Sequence, residues 1–235
     1  MDFLNRFLTL CREQDVTPDF VSGTHYVRTL ESLSDSIKTN LQLMKQHGLN
    51  DTKYVLAEWH YGVQDWSRCA YVREHGFYEA ENAAFSVSAL IEMMDMDDID
   101  VAYYYSWSTN NWALYNCHEG GNALLPVYYG LSFFQQPAVE CTERIGVTLD
   151  APIPAKTVAG KTADGKIRLL ISCHECPFII IHIECTEKNE ACLKRITTDY
   201  CEELCTKGER VFAENGMFKV THAGGSGVYL LEFDV

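Results

Sequence analysis

The sequence predicts an α/β fold: parallel strands and helices first, then an antiparallel β-sandwich. Two observations carry this. Up to about residue 137, segments with helical apolar spacing alternate with short apolar runs, the pattern of βα units. Beyond Pro137 the helical period gives way to short runs separated by Gly, Asp and Pro, the pattern of packed antiparallel strands. The expected domains are therefore 1–137 and 138–235. With 47% hydrophobic residues in a chain of 235, a sizeable core can form.

In the first region, Phe3, Leu4, Phe7, Leu8 and Leu10 fall at helical spacing within residues 3–13. Pro18 and Asp19 break that helix, and Asp19–Tyr26 reads as a short buried strand. Ser32 or Ser34 caps a helix whose apolar face is Ile37, Leu41 and Met44 and which stops at Gly48. Lys53–Trp59 is a second strand. A helix follows over Gly76–Met96, with Phe85, Ala89 and Met93 on one face. Ile99–Trp107 is a third strand and Leu124–Gln136 a last helix. In the second region Lys166–Cys173 and Phe178–Cys185 read as strands. Met217–Thr221 and Val228–Asp234 flank Gly224-Gly225-Ser226-Gly227, which reads as a hairpin turn. Tyr200–Lys207 fits a short helix or a loop.

Charge narrows the partners. Asp and Glu number 33 against 19 Lys and Arg, a net charge of -14. Such a surface repels nucleic acid and anionic membranes, so neither is expected as a partner. No apolar run approaches the ~18 residues of a membrane span. The ten cysteines are dispersed over two apolar regions, which argues against a disulfide framework and for a reduced, cytoplasmic setting. Ala159-Gly160-Lys161-Thr162 matches the tail of a phosphate loop. Its first glycine would fall on Ala155, and a strand follows, so nucleotide binding is not expected. Cys173-His174-Glu175-Cys176, with Cys201 and Cys205, lacks the pair spacing of a zinc ribbon. No metal or cofactor is expected.

The chemistry gathers at strand ends. All three strands of the first region end in polar or aromatic residues: Thr24-His25-Tyr26, Glu58-Trp59-His60 and Ser106-Trp107-Ser108. In parallel α/β folds the carboxyl ends of the strands carry the site. Glu58, ending an apolar strand, is either a carboxylate desolvated for a purpose, such as the nucleophile of retaining glycoside hydrolysis, or a solvated loop residue. A Tyr26 hydroxyl can orient it, His25 can hold a sugar hydroxyl, and Trp107 can floor a sugar face.

In order, Pro18–Tyr26 (PDFVSGTHY), Tyr54–Gly62 (YVLAEWHYG), Asp100–Ser108 (DVAYYYSWS) and the stretch from Ala113 to Phe134 resemble the carboxyl-terminal part of a family 39 glycoside hydrolase. That family is of the β-xylosidase and α-L-iduronidase type. The resemblance implies strands six to eight of a (β/α)8 barrel followed by a β-sandwich. It implies Glu58 as nucleophile, His25, Tyr26, Trp59, His60 and Trp107 around a carbohydrate substrate, and no cofactor. The sequence departs from the family in carrying His60 shortly after the nucleophile, where Asn is usual. His25 and Tyr26 are adjacent, where Pro often separates them. The family's Asn-Glu acid/base pair has no counterpart at the end of a strand, and a whole barrel needs about 250 residues where only about 137 precede the sandwich. Either the gene is truncated, or the amino-terminal half is a separate chain, or this is a remnant with another use. The partner expected in the last two cases is a separate barrel half or, by self-association, a second copy. Two functions remain: a hydrolase fragment carrying the nucleophile half, or a non-catalytic carbohydrate-binding or assembly module.

Overall fold

A computed structural model describes residues 2–62, 80–106, 114–116, 123–148, 153–185, 188–199 and 202–233. Contacts divide the chain into two compact units, Met1–Trp66 with Met93–Tyr105, and Ser67–Glu92 with Ser106–Val235.

The first unit contains α1 (Asp2–Glu13), β1 (Phe20–Val27), α2 (Leu30–Gln46), β2 (Lys53–Tyr61) and β3 (Ile99–Tyr104). Its three strands form a parallel sheet in the order β1-β2-β3, as the alternating pattern predicts. The cap of α2 is Thr29 rather than Ser32 or Ser34: Thr29 Oγ1 accepts the Ser32 N–H at 3.1 Å. Ser34 is buried one turn further on, where a cap could not sit. Leu33, Ile37 and Met44 are the buried face of α2. Helix α1 is tied to α2 through His47 Nε2 and Asn5 Oδ1 at 2.9 Å. It buries Leu8 and Cys11 but leaves Phe3, Phe7 and Leu10 exposed.

The second unit opens with α3 (Ala80–Met93, all but its last residue), a shorter helix than Gly76–Met96; Gly76 lies outside the described residues. A two-stranded pair follows, β4 (Tyr115–Asn116) with β5 (Ala123–Leu124), and then α4 (Pro126–Gln135). Pro126 occupies the first turn of α4, where its missing N–H costs nothing. Gly130 allows close packing of the two helices, since a Cβ there would stand 3.2 Å from Ala83 and from Val87.

The remaining strands are β6 (Glu143–Ile145), β7 (Ala155–Lys161), β8 (Ile167–Cys176), β9 (Ile179–Glu184), β10 (Glu190–Ile196), β11 (Glu209–Phe212), β12 (Met217–His222) and β13 (Gly225–Phe233). They form a six-stranded sheet ordered β11-β10-β13-β8-β7-β6 and a two-stranded sheet of β12 and β9. Leu169, Ile171, Leu231 and Phe233 of the long sheet share one core with Phe218 and Val220 of β12. The opposite face of β8 meets α3, where Ser172 Oγ donates to the Ala84 carbonyl at 2.9 Å and accepts from Ser88 at 2.8 Å. These bonds tie α3 to an antiparallel strand within the second unit. Both faces being covered, β8 and β13 are buried in continuous runs, 169–173 and 226–231, rather than at alternate positions.

The expected Met217/Val228 hairpin does not form. Strand β12 pairs with β9, whereas β13 pairs with β8 and β10, so the glycine run is a corner between two sheets. Gly224 (φ 99) and Gly225 (φ 80) make that corner in a region L side chains avoid. Residues 202–206 form a single helical turn, α5 (Glu202–Thr206), in the segment that fitted helix or loop. Ala159, Gly160 and Lys161 lie in β7, where no phosphate loop can form. The seven described cysteines are all free thiols.

Candidate active site

The site stands where the parallel strands end. The register pairs Gly23 with Leu56 but Thr24 with Glu58, so Ala57 is an extra residue on β2. The β2–β3 ladder shifts over the same stretch. In an unbroken strand Tyr54, Leu56 and Glu58 would all share one face, and Tyr54 and Leu56 are fully buried. The bulge reverses the alternation after Leu56 and turns Glu58 out of that buried face. There the Tyr26 hydroxyl donates to Glu58 Oε2 at 2.6 Å, the length of a charge-assisted bond. Desolvation and the bond to Glu58 raise the Tyr26 phenol well above its usual range, so it stays a donor. Tyr105 packs edge-on against Tyr26 with ring centroids 6.1 Å apart.

Of the predicted residues, the structure brings together Tyr26 and Glu58. It does not bring His25 to them. Neighbours on a strand point to opposite faces, so with no residue between His25 and Tyr26 only one can face the carboxylate. His25 Nε2 instead meets the Tyr54 hydroxyl at 2.8 Å, which accepts from Asn40 Nδ2 of α2 at 2.9 Å. Trp59 and His60 are 1% and 0% accessible and present no surface to a ligand. Trp59 packs edge-on against Tyr104 at 5.2 Å, and His60 lies against the same ring. Burial pushes the His60 imidazole down to about 3, holding it neutral. Trp107 lies outside the described residues. Sequence reasoning missed Tyr54 and Asn40; their only signal was an aromatic at the start of β2 and a polar residue on the inner face of α2.

The cysteines of the CxxC motif turn inward: Cys173 and Cys176 are 0% and 2% accessible, and burial pushes Cys173 up to about 12. Cys205 Sγ is directed to the Arg195 carbonyl at 3.3 Å instead. Among the described residues, Glu81, His174 and Glu175 bring ligating atoms within 4.8 Å of one another in the second unit. Glu81 and His174 are half-buried and Glu175 is exposed, and exposed acidic groups commonly gather without an ion.

No family model matches the chain, and no curated protein does. Solved structures do. A glucosidase from Croceicoccus marinus is similar over 100% of this chain and 57% of its own, with a TM-score of 0.71 and 19% identity. A monomeric β-xylosidase from Caulobacter crescentus follows at 0.69 and 9% identity, over 98% of this chain and 59% of its own. An arabinofuranosidase gives 0.63 and 14%, over 97% and 55%. At such identities the likeness shows the fold. These neighbours are glycoside hydrolases, in keeping with the resemblance at that coarse level; they do not single out family 39. The chain spans between half and three-fifths of their length.

Proposed function

We propose that the chain is the nucleophile-bearing part of a retaining glycoside hydrolase acting on a β-xyloside-like substrate. It corresponds in this reading to strands six to eight of a (β/α)8 barrel with its appended β-sandwich. The observation that carries the reading is the Tyr26–Glu58 bond at 2.6 Å, at the carboxyl ends of adjacent parallel strands. A carboxylate attacking an anomeric carbon must be ionised and held in line with the bond it breaks. Tyr26 occupies one oxygen of Glu58 and leaves the other to attack. The glycosyl–Glu58 ester so formed is opened by water, giving net retention.

The leaving oxygen must receive a proton from a second carboxylic acid roughly 5–5.5 Å from the nucleophile. In this reading that acid belongs to a separate amino-terminal barrel half. Such a half would also cover β1, an edge strand among the described residues, and the exposed Phe3, Phe7 and Leu10. Removing general-acid help costs about 10²–10⁴-fold, so the chain alone is expected to turn over little, even on activated aryl glycosides. The test is hydrolysis of an aryl xyloside and an aryl glucuronide, with and without a polypeptide supplying the other βα units. Activity that needs both parts and Glu58 is the expected result. Robust Glu58-dependent turnover by the chain alone would place the acid within these residues and reject the division.

A further inference from the structure

We propose that His25 is a positioning residue: fixed as its Nδ1–H tautomer by an Asn40–Tyr54 relay, it locks β1 to β2 in the register that brings Tyr26 to Glu58. The functional meaning of that lock rests on Glu58 being the nucleophile; its geometry does not.

The direction of the relay follows from its donors. The Asn40 amide nitrogen can only donate, and it donates to the Tyr54 oxygen at 2.9 Å. Burial raises the Tyr54 phenol, so Tyr54 keeps its own proton. That proton has His25 Nε2 as its partner at 2.8 Å. Nε2 therefore accepts, and the ring proton sits on Nδ1. Burial also lowers the His25 pKa, so the ring stays neutral.

The relay needs an opening, and Gly23 supplies it. A Cβ at position 23 would stand 2.1 Å from the Tyr54 oxygen and 3.1 Å from His25 Nε2. The contact is also diagonal. In the ladder His25 lies opposite Trp59, yet its ring reaches back to Tyr54 on the other side of the Ala57 bulge. The bulge leaves Ala57 unpaired and interrupts the ladder there, and a slip of one residue would turn every side chain beyond it to the other face. A slip here would carry Glu58 away from Tyr26. The tie spans the one stretch of the β1–β2 ladder where the register already shifts.

The test is NMR of the chain with labelled His and Tyr. Long-range 15N–1H spectra should show His25 as the Nδ1–H tautomer, unchanged from pH 8 to pH 6. The Tyr26 hydroxyl proton should appear downfield and exchange slowly. Tyr54→Phe should release the tautomer and lose the Tyr26 hydroxyl signal while circular dichroism stays native. A second pair guards against misfolding: His25→Gln, whose amide oxygen can accept from Tyr54, should keep the Tyr26 signal, and His25→Leu should lose it. An Nε2–H tautomer in the wild-type chain overturns the proposal. So does an unchanged Tyr26 signal in folded Tyr54→Phe or His25→Leu. Because no readout needs substrate, a failure of Glu58 as nucleophile would be seen separately.

Discussion

The two units treat apolar surface differently. In the second, β8 and β13 are covered on both faces, and Leu170, Val228, Leu230 and Leu231 are all at 0% accessibility. In the first, α1 carries two apolar stripes. Leu8 and Cys11 are inside, while Phe3 (83%), Phe7 (41%) and Leu10 (55%) face solvent at i, i+4 and i+7. A helix that has one core to cover needs one stripe. In the proposed reading, this second stripe and β1, an edge strand among the described residues, are where the remaining βα units would pack. The second unit also exposes apolar side chains, Phe178, Phe212 and Val139 among them, but these lie outside the buried runs of β8 and β13.

This contrast can be broken by substitution. The largest effect belongs to the site: in the completed barrel, Glu58→Gln should lower turnover at least ~10³-fold with the fold intact. Tyr26→Phe, which removes one hydrogen bond to a charged group, should cost about 10–100-fold. Steady-state kinetics on an aryl xyloside read both, and equal losses would deny Tyr26 its subordinate role. Next come the closed cores. Phe218→Ala, at 0% accessibility against Phe233, should cost about 3–5 kcal/mol in urea unfolding.

Acid comes third. Unfolded His60 takes up a proton near pH 6.5, whereas folded His60 does so only near 3. Stability is therefore full above pH 6.5 and falls as the pH drops below it, by about 1.4 kcal/mol per unit until about pH 3. Urea titrations of the wild-type chain and His60→Gln at pH 7.5, 6.5 and 5.5 read it; equal slopes would reject the assignment. The smallest effect is on the exposed stripe. Phe7→Asp should change the stability of the chain alone by no more than about 0.5 kcal/mol, while weakening self-association in sedimentation. A loss comparable to Phe218→Ala would show that the stripe is already covered.

The units also differ in how far the sequence discloses them. In the first, β1, α2, β2 and β3 could be read from apolar runs between breakers, and Glu58 and Tyr26 from their places at strand ends. His25 was legible as a residue but not as to its face, because facing is set by strand alternation and by the Ala57 bulge, which leaves no mark in the sequence. In the second unit β8 and β9 could be read, but β7, β10 and β11 could not. Their Lys, Arg, Glu and Gly residues dilute the period. The glycine run at Gly224 signals a reversal equally well for a hairpin and for a corner between sheets; only strand pairing over a distance separates the two.

The central claim is that Glu58 attacks a sugar from the strand-end position Tyr26 holds it in. The most direct measurement is mass spectrometry of the completed barrel after exposure to a 2-deoxy-2-fluoro xyloside with an activated aryl leaving group. That leaving group dispenses with the acid, and the fluorine slows release of the covalent intermediate. The account predicts one glycosyl unit on the peptide containing Glu58 and none in Glu58→Gln. Labelling of another residue, or an active barrel that takes no label, would contradict it.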